Sequence, residues 1–71
     1  MKASDEMNIQ IETIMAVFAG CYSVRMVSTA LGVSTGCARQ RLDTLARKGL
    51  VEMFEDMWMV THDGMVAADL W

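Results

Sequence analysis

Residues 29–52, TALGVSTGCARQRLDTLARKGLVE, decide the fold that we predict for this 71-residue chain. In this stretch the turn LGVS lies between the end of one predicted helix and the start of another. Gly32 can adopt the left-handed backbone conformation that closes a helix, and the Ser34 side chain can accept a backbone hydrogen bond at the start of the next one. Val33, between them, is expected to point inward. The stretch therefore predicts two helices joined by a tight turn.

The helix after this turn is predicted over about residues 34–48, and one of its faces is apolar. Ala38, Leu42 and Leu45 recur at the spacing of residues that lie on the same side of a helix. Gly49 is a typical stop for such a helix. Because these three side chains should pack inward, the other positions of the helix are expected on the surface or at its flanks.

The residues before the turn predict two more helices. The first should begin at the N-cap Ser4 and end at Gly20. The second should run from about Val24 to Leu31, with Ser23 as its N-cap. The expected inner face of the first helix consists of Met7, Ile11, Ile14 and Phe18. Together with the helix of residues 34–48, these helices would form a three-helix core.

After Gly49 the apolar period changes from that of a helix to that of a strand. The runs LVEMF and MWMVT are separated only by Glu55 and Asp56, so we predict a tight hairpin in which Phe54 lies opposite Met57. One face of this hairpin should pack on the helices, and its residues are Val51, Met53, Trp58 and Val60. The other face should carry Glu52, Phe54, Met57 and Met59.

The order of these elements and three short motifs resemble the winged helix-turn-helix domains of bacterial regulators. The motifs are LGVS at residues 31–34, KGLV at residues 48–51 and VTHDG at residues 60–64. A short last helix, capped by Thr61, should run from His62 to about Leu70. The resemblance implies a single domain over residues 1–71, mainly α with a small β-hairpin. It would have a three-helix core, a two-stranded wing and a short C-terminal helix.

Two positions depart from the pattern of that family. Arg41 stands where simple helix-turn-helix units usually have an apolar residue, and Leu42 is expected to make the inner contact instead. The wing tip consists of Glu55 and Asp56, whereas wings that contact DNA usually carry Arg or Lys. The second departure argues against a DNA contact by the wing.

Charge is segregated along the chain, although the net charge is only −3. Residues 1–12 carry a net charge of −2, residues 13–48 carry +4 and residues 49–71 carry −5. Binding of DNA depends on counterion release at a local surface. A chain that is acidic as a whole can therefore bind DNA through one concentrated basic helix.

The resemblance implies that residues 34–48 are the recognition helix of a small sequence-specific DNA-binding transcriptional regulator. Arg and Gln side chains on the outer side of this helix can make bidentate contacts with base edges of double-stranded DNA. The free N–H groups at its start can hold a phosphate. The DNA-binding residues that we predict are Ser34, Thr35, Gly36, Arg39, Gln40, Arg41, Thr44 and Arg47. Because one copy offers few phosphate contacts, we expect a homodimer. The alternative is that these are ordinary solvated residues of a helix that only packs.

The hairpin supports a different hypothesis, a winged-helix adaptor or inhibitor that binds protein and no DNA. Its outer face combines an aromatic side chain and methionines with an acidic tip, which suits protein contact better than phosphate contact. Trp71 is expected either in a homodimer contact or against the first helix. The protein-interface residues that we predict are Phe54, Met57, Met59 and Trp71. Alternatively, twisting of the hairpin buries part of this face on the domain itself.

The sequence contains no pattern typical of an enzyme, a cofactor site or a metal site. His62 stands alone beside Asp63, and the spacing of Cys21, Cys37 and His62 matches no metal pattern. No apolar run reaches the roughly 18–20 residues of a membrane span, and the start MKASDEMN does not resemble a signal peptide. We therefore expect a cytoplasmic protein that is not an enzyme. By analogy with other short regulators, we expect a phage, plasmid or prophage origin.

Overall fold

The computed structural model describes the backbone of residues 2–70 and the side chains of residues 8–70. Within these residues the chain forms four α-helices and one two-stranded antiparallel sheet. The elements are α1 (Lys2–Phe18), α2 (Val24–Leu31), α3 (Thr35–Arg47), β1 (Val51–Phe54), β2 (Met57–Val60) and α4 (His62–Ala67). The prediction of a mainly helical chain with a small β-hairpin is therefore confirmed.

The turn between α2 and α3 has the geometry that its sequence predicts. Gly32 has φ 68°, in the left-handed region, and its N–H donates to the Thr29 carbonyl at 3.3 Å. The Val33 N–H donates to the Ser28 carbonyl at 3.0 Å, which completes the closure of α2. Ser34 then caps α3, because its side-chain oxygen accepts from the Cys37 N–H at 3.1 Å. The predicted cap and stop residues of this turn are confirmed.

The first part of the core joins the three long helices. Its buried members are Val17, Val27, Ala38 and Leu42. Leu31 and Val33 are half-buried against them, so both residues that flank Gly32 contribute to the same cluster. This packing is what holds α2 and α3 in their mutual orientation.

The predicted inner face of α1 is wrong at its C-terminal end. Phe18 is 53% exposed, whereas Thr13 and Val17 are buried together with Ile14. The face that meets the other helices thus includes positions 13, 14 and 17, and Phe18, the last residue of the helix, turns away from it. The Thr13 hydroxyl is compatible with burial because it donates to the Ile9 carbonyl at 2.8 Å.

The predicted boundaries of the first and last helices also need correction. Ser4 is not an N-cap, since α1 already begins at Lys2, and Lys and Ala before Ser4 are good helix formers. Met7, the remaining member of the predicted inner face, has its side chain outside the described residues. The last helix ends at Ala67 and does not reach Leu70, because Asp69 adopts φ 60°.

The hairpin has the register that a two-residue turn predicts. Val51 pairs with Val60, Met53 with Trp58 and Phe54 with Met57. Both turn residues have positive φ, 51° for Glu55 and 64° for Asp56. This is the backbone of a type I′ turn, whose twist matches that of the two strands.

Met53 does not pack on the helices, contrary to the prediction. It is 52% exposed, whereas Val51 is buried and Trp58 and Val60 are half-buried. The backbone N–H of Trp58 donates to the Tyr22 carbonyl at 2.9 Å. Strand β2 therefore lies between β1 and the segment of residues 21–23. Because β1 is the outer strand of this arrangement, only its first residue reaches the second core cluster, which Ile14, Leu45 and Val51 form.

Candidate nucleic-acid interface

Helix α3 is seated on the core by one face only. Ala38, Leu42 and Leu45 are buried, as their spacing predicts. Helix α2 packs against one side of α3, and β1 follows directly after the closing turn at Gly49. The opposite side of α3 is therefore left as a surface of the domain.

The outward face of α3 forms a shallow depression of about 370 Å³. Its lining residues are Gly36, Arg39, Gln40, Asp43, Thr44 and Arg47. All of these are exposed except Thr44, which is half-buried and whose hydroxyl donates to the Gln40 carbonyl at 2.9 Å. The hydroxyl of Thr44 thus keeps its lone pairs free to accept a hydrogen bond. We call this surface the outer face of α3.

Gly36 gives the outer face an open end near the start of the helix. A methyl group built on Gly36 would meet no atom within 4 Å, so the protein itself does not require glycine there. Ser34 and Thr35 lie beside it and are exposed. The Ser34 oxygen accepts from the Cys37 N–H, and its own O–H remains available to an outside acceptor.

Five of the eight residues predicted to contact DNA line the outer face, and Ser34 and Thr35 lie at its end. Arg41 does not belong to this face. It is half-buried and lines a second depression of about 350 Å³, where α3 meets the middle of α1. The described lining residues of this second depression are Ile9, Gln10, Cys37, Gln40, Arg41, Thr44 and Lys48. We call it the α1–α3 groove.

Gln10 and Lys48 line the α1–α3 groove but are absent from the site residues predicted from the sequence. Lys48 is exposed and is the C-cap residue of α3. Arg41, Thr44 and Lys48 follow one another at intervals of three and four residues, so a helical projection would have placed them on one side of α3. Gln10 comes from α1 and had no such signal, because its position depends on how the two helices cross.

The charges of α3 and of the hairpin are opposite. Helix α3 with its C-cap carries four basic residues and one acidic residue, a net charge of +3. Residues 51–60 carry three acidic residues and no basic one, a net charge of −3. Glu55 and Asp56 at the tip are both exposed. Positive charge is therefore concentrated on α3, and the hairpin that follows it in the chain is negative.

The hairpin presents an apolar surface on the face that points away from the helices. Phe54 is 56% exposed, and Met57 and Met59 are also exposed. Twisting of the hairpin therefore does not cover this patch with the described part of the chain. Trp71, the fourth residue predicted at a protein interface, lies outside the described residues.

No protein-family model fits this sequence, and no curated protein is significantly similar to it. Among the described residues, no group of three or more His, Cys, Asp or Glu side chains is placed to hold a metal ion. None of the described helices is both long and apolar enough to cross a membrane.

Proposed function

We propose that this protein is a sequence-specific DNA-binding transcriptional regulator of the winged helix-turn-helix type, with α3 as its recognition helix. The observation that carries this proposal is the outer face of α3, where Arg39, Gln40 and Arg47 are exposed on one side of a helix that is anchored by its other side. The major groove of DNA admits an α-helix, and Arg and Gln are the side chains that most often read guanine and adenine there. No cofactor and no catalytic step is part of this function.

The acidic hairpin fits this function as an orienting element. Its charge of −3 lies on the segment that directly follows α3, so a phosphate backbone must approach α3 from a direction that avoids Glu55 and Asp56. This role differs from that of a basic wing, which would itself hold a phosphate. The protein acts as a homodimer in this proposal, because so few cations per copy give weak binding to a single half-site.

Fluorescence anisotropy with a pool of labelled random-sequence DNA duplexes tests the proposal. The unmodified protein should bind the pool at about 50 mM salt and release it at higher salt, and repeated selection should enrich one sequence. The double variant Arg39→Ala, Gln40→Ala should lose that preference. Phe54→Ser is the matched surface control and should retain it. Absence of binding to any duplex at low salt would refute the proposal.

A second function is favoured by the exposed patch of Phe54, Met57 and Met59. Exposed aromatic and methionine side chains beside acidic residues are typical of a surface that binds a basic protein segment. In this function the protein is an adaptor or inhibitor, and DNA has no part in it. The exposure of Phe54 supports it, since the described part of the chain leaves this ring accessible.

A pull-down from host lysate, run with and without nuclease, separates the two functions. A protein partner of the hairpin should be captured in both conditions and should be released by the double variant Phe54→Ser, Met57→Ser. The double variant Arg39→Ala, Gln40→Ala is the control and should retain that partner. If the Phe54→Ser, Met57→Ser variant keeps every captured protein, the adaptor function is excluded.

A further inference from the structure

The outer face of α3 and the α1–α3 groove are neighbouring surfaces that share two residues. Gln40 and Thr44 line both depressions, so the two surfaces are continuous across this part of the helix. A ligand that extends over both surfaces would contact Arg39 and Arg47 on the outer face and Arg41 and Lys48 in the α1–α3 groove. A DNA strand in the major groove is such a ligand, since its base edges and its phosphates lie side by side.

The two surfaces differ in their charge. The outer face carries Asp43 four residues from both Arg39 and Arg47, so a carboxylate lies on the same surface as the two guanidinium groups. Asp can accept a hydrogen bond from the amino group of cytosine but repels phosphate. The described lining of the α1–α3 groove includes two basic side chains and two amides. Its chemistry suits an anion.

Arg41 and Lys48 are spaced to hold separate anionic groups. They are seven residues apart on α3, which corresponds to about 10 Å along a helix axis. Gln10 of α1 adds an amide donor from the other wall of the groove. Arg41 is half-buried and lines the groove, and a side chain of this kind can pack its stem on the protein while its guanidinium remains accessible.

We infer that the α1–α3 groove is a phosphate-binding site for one DNA strand, in which Arg41 and Lys48 each neutralise a backbone phosphate and Gln10 donates a hydrogen bond. This inference rests on the proposed DNA-binding function. In this arrangement the outer face of α3 contacts base edges, and the groove holds the phosphate backbone of the DNA in position. Arg41, which departs from the apolar pattern of helix-turn-helix units, thereby has a function as a phosphate ligand.

The inference predicts how DNA affinity responds to salt. Each phosphate contact contributes about 0.9 to the slope of log affinity against log salt. The double variant Arg41→Gln, Lys48→Gln should therefore reduce the magnitude of that slope by about 1.8. Over a fourfold increase in salt, the variant should then lose roughly tenfold less affinity than the unmodified protein. The ratio of affinities for the selected duplex and the random-sequence pool should stay within about twofold, because phosphate contacts carry little sequence information.

The experiment measures anisotropy of the selected duplex and of the pool at several salt concentrations, with far-UV circular dichroism of each variant to confirm folding. Lys48→Gln alone should reduce the magnitude of the slope by about 0.9. This single variant still tests the inference if the variants that contain Arg41→Gln do not fold. The charge-conserving variant Arg41→Lys, Lys48→Arg should keep the full slope. Inorganic phosphate, at constant ionic strength, should compete weakly, since it lacks the contacts of the outer face.

The outcomes distinguish this inference from the proposed function. If the unmodified protein binds no duplex, the proposed function fails and this inference with it. If the protein binds but Lys48→Gln and the folded double variant keep the unmodified slope, only the inference about the groove is overturned. It is also overturned if the double variant lowers the slope but loses the preference for the selected duplex, since the groove would then read bases.

Discussion

The Thr61 hydroxyl donates a hydrogen bond of 2.7 Å to the carbonyl oxygen of Gly49, which lies twelve residues earlier in the chain. The hydroxyl oxygen of Thr61 also accepts from the Gly64 N–H at 3.0 Å, and the backbone N–H of Thr61 donates to the Leu50 carbonyl at 3.1 Å. One residue thus joins the end of α3, the return strand of the hairpin and the start of α4. This junction fixes where the hairpin leaves the helical core.

Replacement of Thr61 should therefore destabilise the fold more than its exposure suggests. Thr61→Val keeps the shape but removes one donor and one N-cap acceptor, and we expect a loss of about 2 kcal/mol in the free energy of unfolding. Urea denaturation followed by circular dichroism measures it. Thr44→Val, which removes a hydroxyl bonded within its own helix, is the control and should cost less than about 1 kcal/mol. Equal stabilities of the Thr61→Val variant and the unmodified protein would contradict the role of this junction.

Glycine at position 64 is required by close packing. Gly64 is buried. A methyl group at this position would overlap the Leu50 carbonyl oxygen and lie 2.8 Å from Val60 Cγ1. We expect Gly64→Ala to cost about 3 kcal/mol, because backbone would have to move. Gly36→Ala is the matched control: it lies in a helix with open space around it and should stabilise the protein by about 0.5–1 kcal/mol. Thermal unfolding of both variants checks the opposite signs.

Two substitutions in the hairpin turn should raise the stability of the protein. Glu55 and Asp56 both adopt positive φ, a conformation that Asn and Gly adopt at lower cost. The double variant Glu55→Asn, Asp56→Gly should raise the free energy of unfolding by about 1 kcal/mol, and hence the melting temperature by about 4–8 °C. Glu55→Gln removes a charge without changing the backbone preference and should give little gain. A melting temperature that stays the same in the double variant would contradict the expected cost of positive φ at Glu55 and Asp56.

Asp43 should limit non-specific DNA binding by the outer face of α3. Asp43→Asn removes the carboxylate from the surface that carries Arg39 and Arg47, so affinity for the random-sequence pool should rise about three- to tenfold at low salt. The preference for the selected duplex should fall at the same time, since Asp43 is a candidate acceptor for a cytosine amino group. Asp63→Asn, on α4, makes the same change in net charge and serves as the control. Equal effects of both variants would indicate that only net charge matters.

The turn between α2 and α3 could be predicted residue by residue because every signal in it is local. Gly32 and Ser34 act through their own backbone and side-chain preferences, and Ala38 and Leu42 follow the period of a single helix. The register of the hairpin was predictable for a similar reason. A turn of two residues leaves the flanking residues Phe54 and Met57 no other partners than each other.

Predictions failed where a side chain's environment depends on a distant element. Phe18 fits the apolar period of α1 but turns away, because the other helices meet α1 on the side of Thr13 and Val17. Met53 has the correct alternation for the inner face, yet β1 is the outer strand and leaves it exposed. Neither the direction in which helices cross nor the order of strands is contained in a local pattern.

The candidate site shows the same division. The sequence by itself determined that residues 34–48 form a basic helix with one buried face, since periodicity and caps act over a few residues. Only the tertiary structure decided that Arg41 and Lys48 share a groove with Gln10, apart from the face of Arg39 and Arg47. The reason is that a groove between helices exists only where their packing leaves space, and packing is set by contacts far apart in the chain.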